Sequence, residues 1–245
     1  AACPSGPGPS AKRSRADAMG PSRPRALPSE ADSGMPRVTL RSPSGEACVV
    51  FTHGAHVASW TDADGGENLF TSEAAVFKPP KALRGGVPVC WPQFGGVGDL
   101  QAHGFARNSE WAVKVQTDDQ VVMTLKSNDE TRAMWPHDFE LQLTVKLGGS
   151  GSAASATSGV LKTTLAVLNT GDAPFSFTAA LHTYFGVADI AKTRVLGLKG
   201  VPYHDGNVPD KSALAGRKRF DGDDADTINF DGEFDRIYCG VPYHD

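Results

Sequence analysis

A chain of 245 residues, 40% apolar and 21% charged, carries enough hydrophobic content to bury a core, which excludes wholesale disorder. No run approaches the roughly 18 apolar residues of a membrane helix, and the mean hydropathy is −0.28. With 24 basic against 28 acidic residues there is no global attraction for DNA or RNA, so neither a membrane nor a nucleic-acid partner is expected.

Residues 1–36 carry seven prolines, five basic residues and three acids, without apolar periodicity. Such a segment cannot bury enough surface to offset its ordering entropy, and it reads as a disordered tail or a transit-like leader. Residues 37–245 are expected to form one domain. Short β-prone runs at 38–41, 48–51 and 56–60 are separated by Ser-Pro-Ser-Gly and His-Gly-Ala. A short helix capped by Ser72 is expected at 72–76. Residues 111–115 and 121–126 alternate apolar and polar across a turn at 117–120, and 139–147 (F-E-L-Q-L-T-V-K-L) keeps a period of two without a slip. Strands at 161–168 and 175–185 follow, the turn between them reading N-T-G-D-A-P. No segment shows a helical stripe over three turns. The fold class is therefore all-β, with antiparallel sheets packed as a sandwich or barrel.

Three smaller features complete the inventory. Cys3, Cys48, Cys90 and Cys239 form no C-x-x-C pair, which suits unpaired thiols in a reducing compartment. His53 and His56 stand three apart with no third or fourth ligand nearby in sequence, so no metal is expected. Residues 148–159 read as a flexible insertion, and the acidic run at 221–226 as a solvated face.

Two stretches depart from ordinary sandwich strands. The first, 83–107, is glycine-rich yet holds Trp91, Phe94 and Phe105, so backbone can approach a ligand closely between flat apolar walls. Arg84, Gln93, Gln101, His103 and Arg107 lie among them, donors suited to sugar hydroxyls or a phosphate, although a structural loop with solvent-facing arginines has the same composition. The second is L-H-T-Y-F at 181–185. A His at a strand end is commonly a satisfied structural residue, but it is also the side chain best suited to deliver a proton near neutral pH.

Taken together, L-R-G-G-V-P-V-C-W-P-Q-F-G (83–95), H-G-F-A-R-N-S-E-W (103–111) and L-H-T-Y-F resemble the hexose-6-phosphate mutarotases, or glucose-6-phosphate 1-epimerases, of the aldose 1-epimerase superfamily. G-A-H-V-A-S-W (54–60), E-N-L-F-T-S (67–72), G-L-K-G-V-P-Y-H-D (197–205) and E-F-D-R-I-Y (233–238) extend the resemblance in the family's order. It implies a galactose-mutarotase-like β-supersandwich that interconverts the α and β anomers of glucose 6-phosphate without metal or nucleotide cofactor. By the same resemblance His182 is the acid at the ring oxygen. Arg84 and Arg107 are substrate ligands, at least one facing the phosphate; His103 lines the site and Asp235 holds sugar hydroxyls. Gln101 is a further candidate ligand, although the family places Gln directly before the His of H-G-F-A-R, where Ala102 stands.

The family's catalytic base is a Glu on a strand after D-R-x-Y, and no Glu follows Asp235 in this sequence. Residues 240–245 also repeat 200–205, G-V-P-Y-H-D, letter for letter. A truncated or misjoined C-terminus is the expectation. Two alternatives stay open: a non-catalytic carbohydrate-binding protein that has lost the base, and an aldose 1-epimerase acting on unphosphorylated sugars. The remaining expectations are a sugar phosphate as small-molecule partner, a monomer, and a cytoplasmic location with the plastid as alternative.

Overall fold

A computed structural model describes residues 27–96, 98–148, 159–205, 218–220, 222–223, 226–230, 232 and 234–241. Almost all regular structure among them is antiparallel sheet. Strands β1 (Arg37–Arg41), β2 (Ala47–Phe51) and β3 (His56–Thr61) form one meander. A second meander joins β5 (Ala112–Gln116), β6 (Gln120–Lys126), β7 (Phe139–Leu147) and β8 (Leu161–Asn169), in that order. Between them β4 (Val89–Cys90) pairs with β9 (Ala180–Leu181). Two small sheets follow: β10 (Arg194–Leu196) with β13 (Thr227–Asn229), and β11 (Tyr203–Asp205) between β12 (Lys218–Phe220) and β14 (Arg236–Tyr238).

Alternation in sequence becomes alternation in burial. Along β7 the odd positions Phe139, Leu141, Leu143, Val145 and Leu147 are buried while the residues between them are more open. The same register carries Val121, Met123 and Leu125 of β6 inward. They meet Val38, Leu40, Cys48 and Val50 of the first meander in one continuous apolar core. A slip of a single residue would turn each of these sets to the opposite face, so the register is strongly specified. The structure thus agrees with the all-β, antiparallel expectation.

Four local differences have physical causes. The expected helix at 72–76 is a turn: Ser72 Oγ accepts from the Ala74 N–H and Ser72 O from the Ala75 N–H. The following Pro79 and Pro80 oppose continued helical backbone. A six-residue helix, α2 (Asp129–Met134 in chain order after the four-residue α1, Glu30–Ser33), was not expected, being too short to show a stripe. Its signal is a capping box in which Asn128 and Thr131 bond each other's backbone N–H. Of the strand expected at 175–185, only Ala180–Leu181 is strand. The Thr183 N–H closes a tight turn onto Leu181 O, 2.9 Å, and the ladder breaks with His182 at its centre. Finally, the packed part does not begin at residue 37. Met35 is 1% exposed, and with Leu27 it packs among Phe51, Ala58 and Leu83. Residues 1–26, most of the insertion at 148–159 and part of the acidic run at 221–226 lie outside the described residues. No described helix is long and apolar enough to cross a membrane.

Candidate active site

The glycine-rich stretch is threaded between neighbouring strands rather than looped out. Val87 N–H donates to Val57 O of β3, Gly86 N–H to Phe70 O, and Tyr184 N–H to Gly86 O. Phe70 N–H in turn donates to Tyr184 O, and His182 N–H to Pro88 O. Residues 57, 70, 84–88 and 182–184 are thereby fixed side by side. Gly86 is required in this arrangement: its φ is +59°, and a Cβ there would collide with Val57 O and lie 2.8 Å from His56 Nε2.

Trp91 anchors the other wall. It is fully buried and meets Phe105 edge-on at 5.6 Å, Trp135 at 5.0 Å and Phe139 at 4.5 Å between ring centroids. Its carbonyl accepts from both Phe105 N–H and Ala106 N–H, 3.1 and 3.2 Å. Those bonds pin the tight turn at 101–104, closed by Gly104 N–H onto Gln101 O. Within that turn His103 adopts φ +70°, a left-handed conformation uncommon outside glycine and concentrated at functional sites.

These walls enclose a cleft of about 790 Å³, within the range of small-molecule sites. Lys81, Arg84, Arg107, His103 and His182 line it together with Ser72, Asn108, Phe70 and Tyr184. The imidazoles of His103 and His182 stand perpendicular, 5.5 Å apart, and His182 is stacked on Tyr184 at 4.9 Å. Burial holds the His103 pKa below the ordinary imidazole value, and the charge of Arg107 and the neighbouring His182 add to the effect. Arg107 Nη2 donates to Ala102 O at 2.9 Å, while its Nε is buried without a partner among the described residues. Neither Lys81 nor Arg84 forms an ion pair among the described residues. Three cations therefore face one space that contains no Asp or Glu among its described lining residues, a setting suited to a ligand bearing a dianion.

The structure brings together Arg84, His103, Arg107 and His182, which are spread over 99 positions of sequence. Gln101 and Asp235 are not among the cleft's lining residues. The reversal of the chain at 101–104 directs Gln101 to a neighbouring hollow, where its Nε2 donates to Gly104 O at 3.0 Å. Asp235 immediately precedes β14 and is not among the residues that line the cleft. Lys81, Ser72, Asn108 and Tyr184 were not anticipated. For Tyr184 a signal existed, since it stands two positions after His182 and strand alternation would put both on one face.

His53 and His56 do not open onto this cleft. His56 is 3% exposed, and burial together with the nearby His53 lowers its pKa to about 3. Burial also lowers His53, against an opposing pull from Glu110, whose Oε2 is 3.9 Å from Nδ1. Among the thiols, burial raises Cys90 to about 11 and pushes Cys48 up further, so both stay protonated.

The molecule is an antiparallel β-sheet protein with a cation-lined cleft in which two imidazoles stand close together. Comparison with known proteins supplies its family. The sequence model described as aldose 1-epimerase matches residues 36–245, and the chain belongs to that family. It is 40% identical over 223 residues to a protein of Cenchrus ciliaris provisionally named glucose-6-phosphate 1-epimerase, covering 86% of this chain and 62% of that one. An Escherichia coli K12 protein with the same provisional name is 42% identical over 151 residues, covering 59% of this chain and 47% of its own length. The chain thus spans less than two thirds of these curated relatives. Among solved structures, a protein from Salmonella typhimurium provisionally described as a mutarotase superposes with a TM-score of 0.62 at 32% identity, over 83% of this chain and 63% of that one. A Synechocystis protein, at 21% identity and a TM-score of 0.65, shares the fold over 92% of this chain and 73% of its own.

Proposed function

We propose that the cleft binds a hexose 6-phosphate and that the protein interconverts its α and β anomers. The observation that carries this reading is the convergence of His182 and His103 with Lys81, Arg84 and Arg107 in one cleft. The provisional names of the plant and bacterial relatives support it. Arg84, Arg107 and Lys81 hold the phosphate dianion, where charge-assisted bonds are about twice as strong as neutral ones. His182, as imidazolium, donates its proton to the ring oxygen while the anomeric hydroxyl gives up its own to a base. The C1–O5 bond breaks and an open aldehyde forms. After rotation about C1–C2 the carbonyl is attacked by the C5 hydroxyl from its other face, and the two protons return. The family's base is a Glu after the D-R-x-Y motif; no Glu follows Asp235 in this sequence, so we assign the base to no residue. A reducing compartment suits the unpaired Cys48 and Cys90 thiols, and we place the activity in the cytoplasm.

The absence of a carboxylate from the described lining favours one second reading, a protein that binds the sugar phosphate without accelerating exchange. Exchange NMR between the two anomers of glucose 6-phosphate, run beside a calorimetric titration, separates the readings. Acceleration by the protein and its loss, by about a hundredfold or more, in His182→Asn with binding retained is the expected result. Binding without acceleration establishes the second reading, and an unaffected rate in His182→Asn removes that residue from the acid's role.

A further inference from the structure

Gln93 is a buried polar side chain, 6% exposed, and it is absent from the cation-lined cleft. Both ends of its amide are nevertheless bonded to the one loop that follows it. Nε2 donates to Gly95 O at 3.3 Å and to Leu100 O at 3.0 Å, while Oε1 accepts from Leu100 N–H at 3.1 Å. Gly98 lies against this amide so closely that a Cβ there would overlap Oε1. Three hydrogen bonds from one side chain brace the chain at Gly95 and at Leu100, neither of which lies in a strand.

The braced loop in turn holds His103. His103 N–H donates to Gly95 O at 2.9 Å, and Gly95 N–H donates to His103 Nδ1 at 3.3 Å. Phe94 packs its ring 5.3 Å from the imidazole. A backbone N–H can only donate, so Nδ1 must accept, and the neutral ring carries its proton on Nε2. The second observation is the backbone: His103 stands at φ +70°, a conformation that persists in a non-glycine residue where its surroundings impose it. The other charged and titratable groups lining the same cleft are Arg107, His182, Lys81, Arg84 and Tyr184; on the loop itself Asp99 is exposed.

We propose that Gln93 is a positioning residue for His103: by bracing the 95–100 loop it aims Gly95 N–H at Nδ1 and holds the imidazole as the Nε2–H tautomer, a hydrogen-bond donor to a sugar oxygen in the cleft. The ligand class rests on the sugar phosphate reading above, whereas the tautomer does not. His103 then binds and orients the sugar as a neutral donor, and the proton delivered to the ring oxygen remains the task of His182. The division follows from the chain's own bonds, since an Nδ1 already engaged by an amide donor resists protonation.

The test uses the full chain. Nitrogen-15 NMR of the imidazoles, with His103 assigned by the signals lost in His103→Asn, reports which ring nitrogen carries the proton. Wild type is expected to show Nε2–H alone. Gln93→Met keeps the side chain's length and loses all three bonds; it should give a mixture of tautomers, a His103 titration moved upward toward the ordinary value, and about tenfold weaker binding of glucose 6-phosphate. Gly98→Ala, which displaces the amide from the other side, should reproduce the change and serves if Gln93→Met fails to fold. An unchanged tautomer and titration in either folded variant overturns the proposal whatever happens to exchange. A changed tautomer supports it even if glucose 6-phosphate neither binds nor exchanges, a result that would overturn the sugar phosphate reading alone.

Discussion

Gly104 offers the sharpest link between sequence and site. At φ +66° it faces the backbone of the residues that anchor the cleft wall, and an added Cβ would overlap Trp91 O, lie 2.5 Å from Trp91 C and 2.8 Å from Pro92 N. None of these is the end of a flexible side chain. Relief to ordinary van der Waals contact needs a displacement of more than 1 Å between the 101–104 turn and Trp91. That movement breaks or stretches the two bonds from Phe105 N–H and Ala106 N–H to Trp91 O. Each is worth about 1 kcal/mol, and holding alanine in a left-handed conformation costs roughly 1 to 2 kcal/mol more. Gly104→Ala is therefore expected to lose about 3 to 4 kcal/mol, lowering the thermal midpoint by about 10 °C for a domain of this size. The turn carries His103 and precedes Arg107, so on the proposed function a shift of that size should also slow anomer exchange about a hundredfold. Gly65→Ala is the control: φ is +85°, but nothing lies within 4 Å of the new Cβ, so only the conformational part, about 1 kcal/mol, should appear. Urea denaturation with exchange NMR on both variants provides the measurement. Equal destabilisation of the two, or full exchange activity in Gly104→Ala, would refute the argument from close approach.

Two further outcomes follow from burial. Trp91 is fully buried and its indole Nε1 has no hydrogen-bond partner among the described residues, so Trp91→Phe removes an unsatisfied donor and should lose less than about 2 kcal/mol; Trp91→Ala should lose about 3 to 5 kcal/mol. Chemical denaturation checks the pair, and a phenylalanine variant as damaged as the alanine one would contradict it. Burial, with the neighbouring His53, lowers the folded pKa of His56 to about 3, against about 6.5 for an ordinary imidazole. The unfolded chain therefore binds one more proton than the folded one between those values, and stability falls as pH drops below 6.5, by about 1.4 kcal/mol per pH unit at most, until pH 3. His56→Gln should flatten that decline by one proton's worth; identical slopes in urea melts between pH 6 and 4 would exclude His56 as its source.

Much of the sandwich is written locally. The period of two in 139–147 names the buried face of β7 residue by residue, and that in 121–126 puts Val121, Met123 and Leu125 of β6 on the core side, because a strand presents alternate side chains to opposite faces. The glycines and aromatics of 83–107 likewise announce close backbone approach. What such patterns cannot contain is distance between segments far apart in sequence. Arg84, His103, Arg107 and His182 become one site because Gly86 lets the chain pass β3 and because Trp91 O gathers the turn that carries His103. The same turn sends Gln101 away from the cleft although it lies only two residues from His103. The tight turn at Leu181–Thr183 ends a strand whose apolar pattern runs straight through it. Side-chain alternation is a property of neighbouring residues and is readable from them; the aim of His103 and His182 depends on bonds to Gly95, Pro88 and Gly86, which only a folded chain brings within reach.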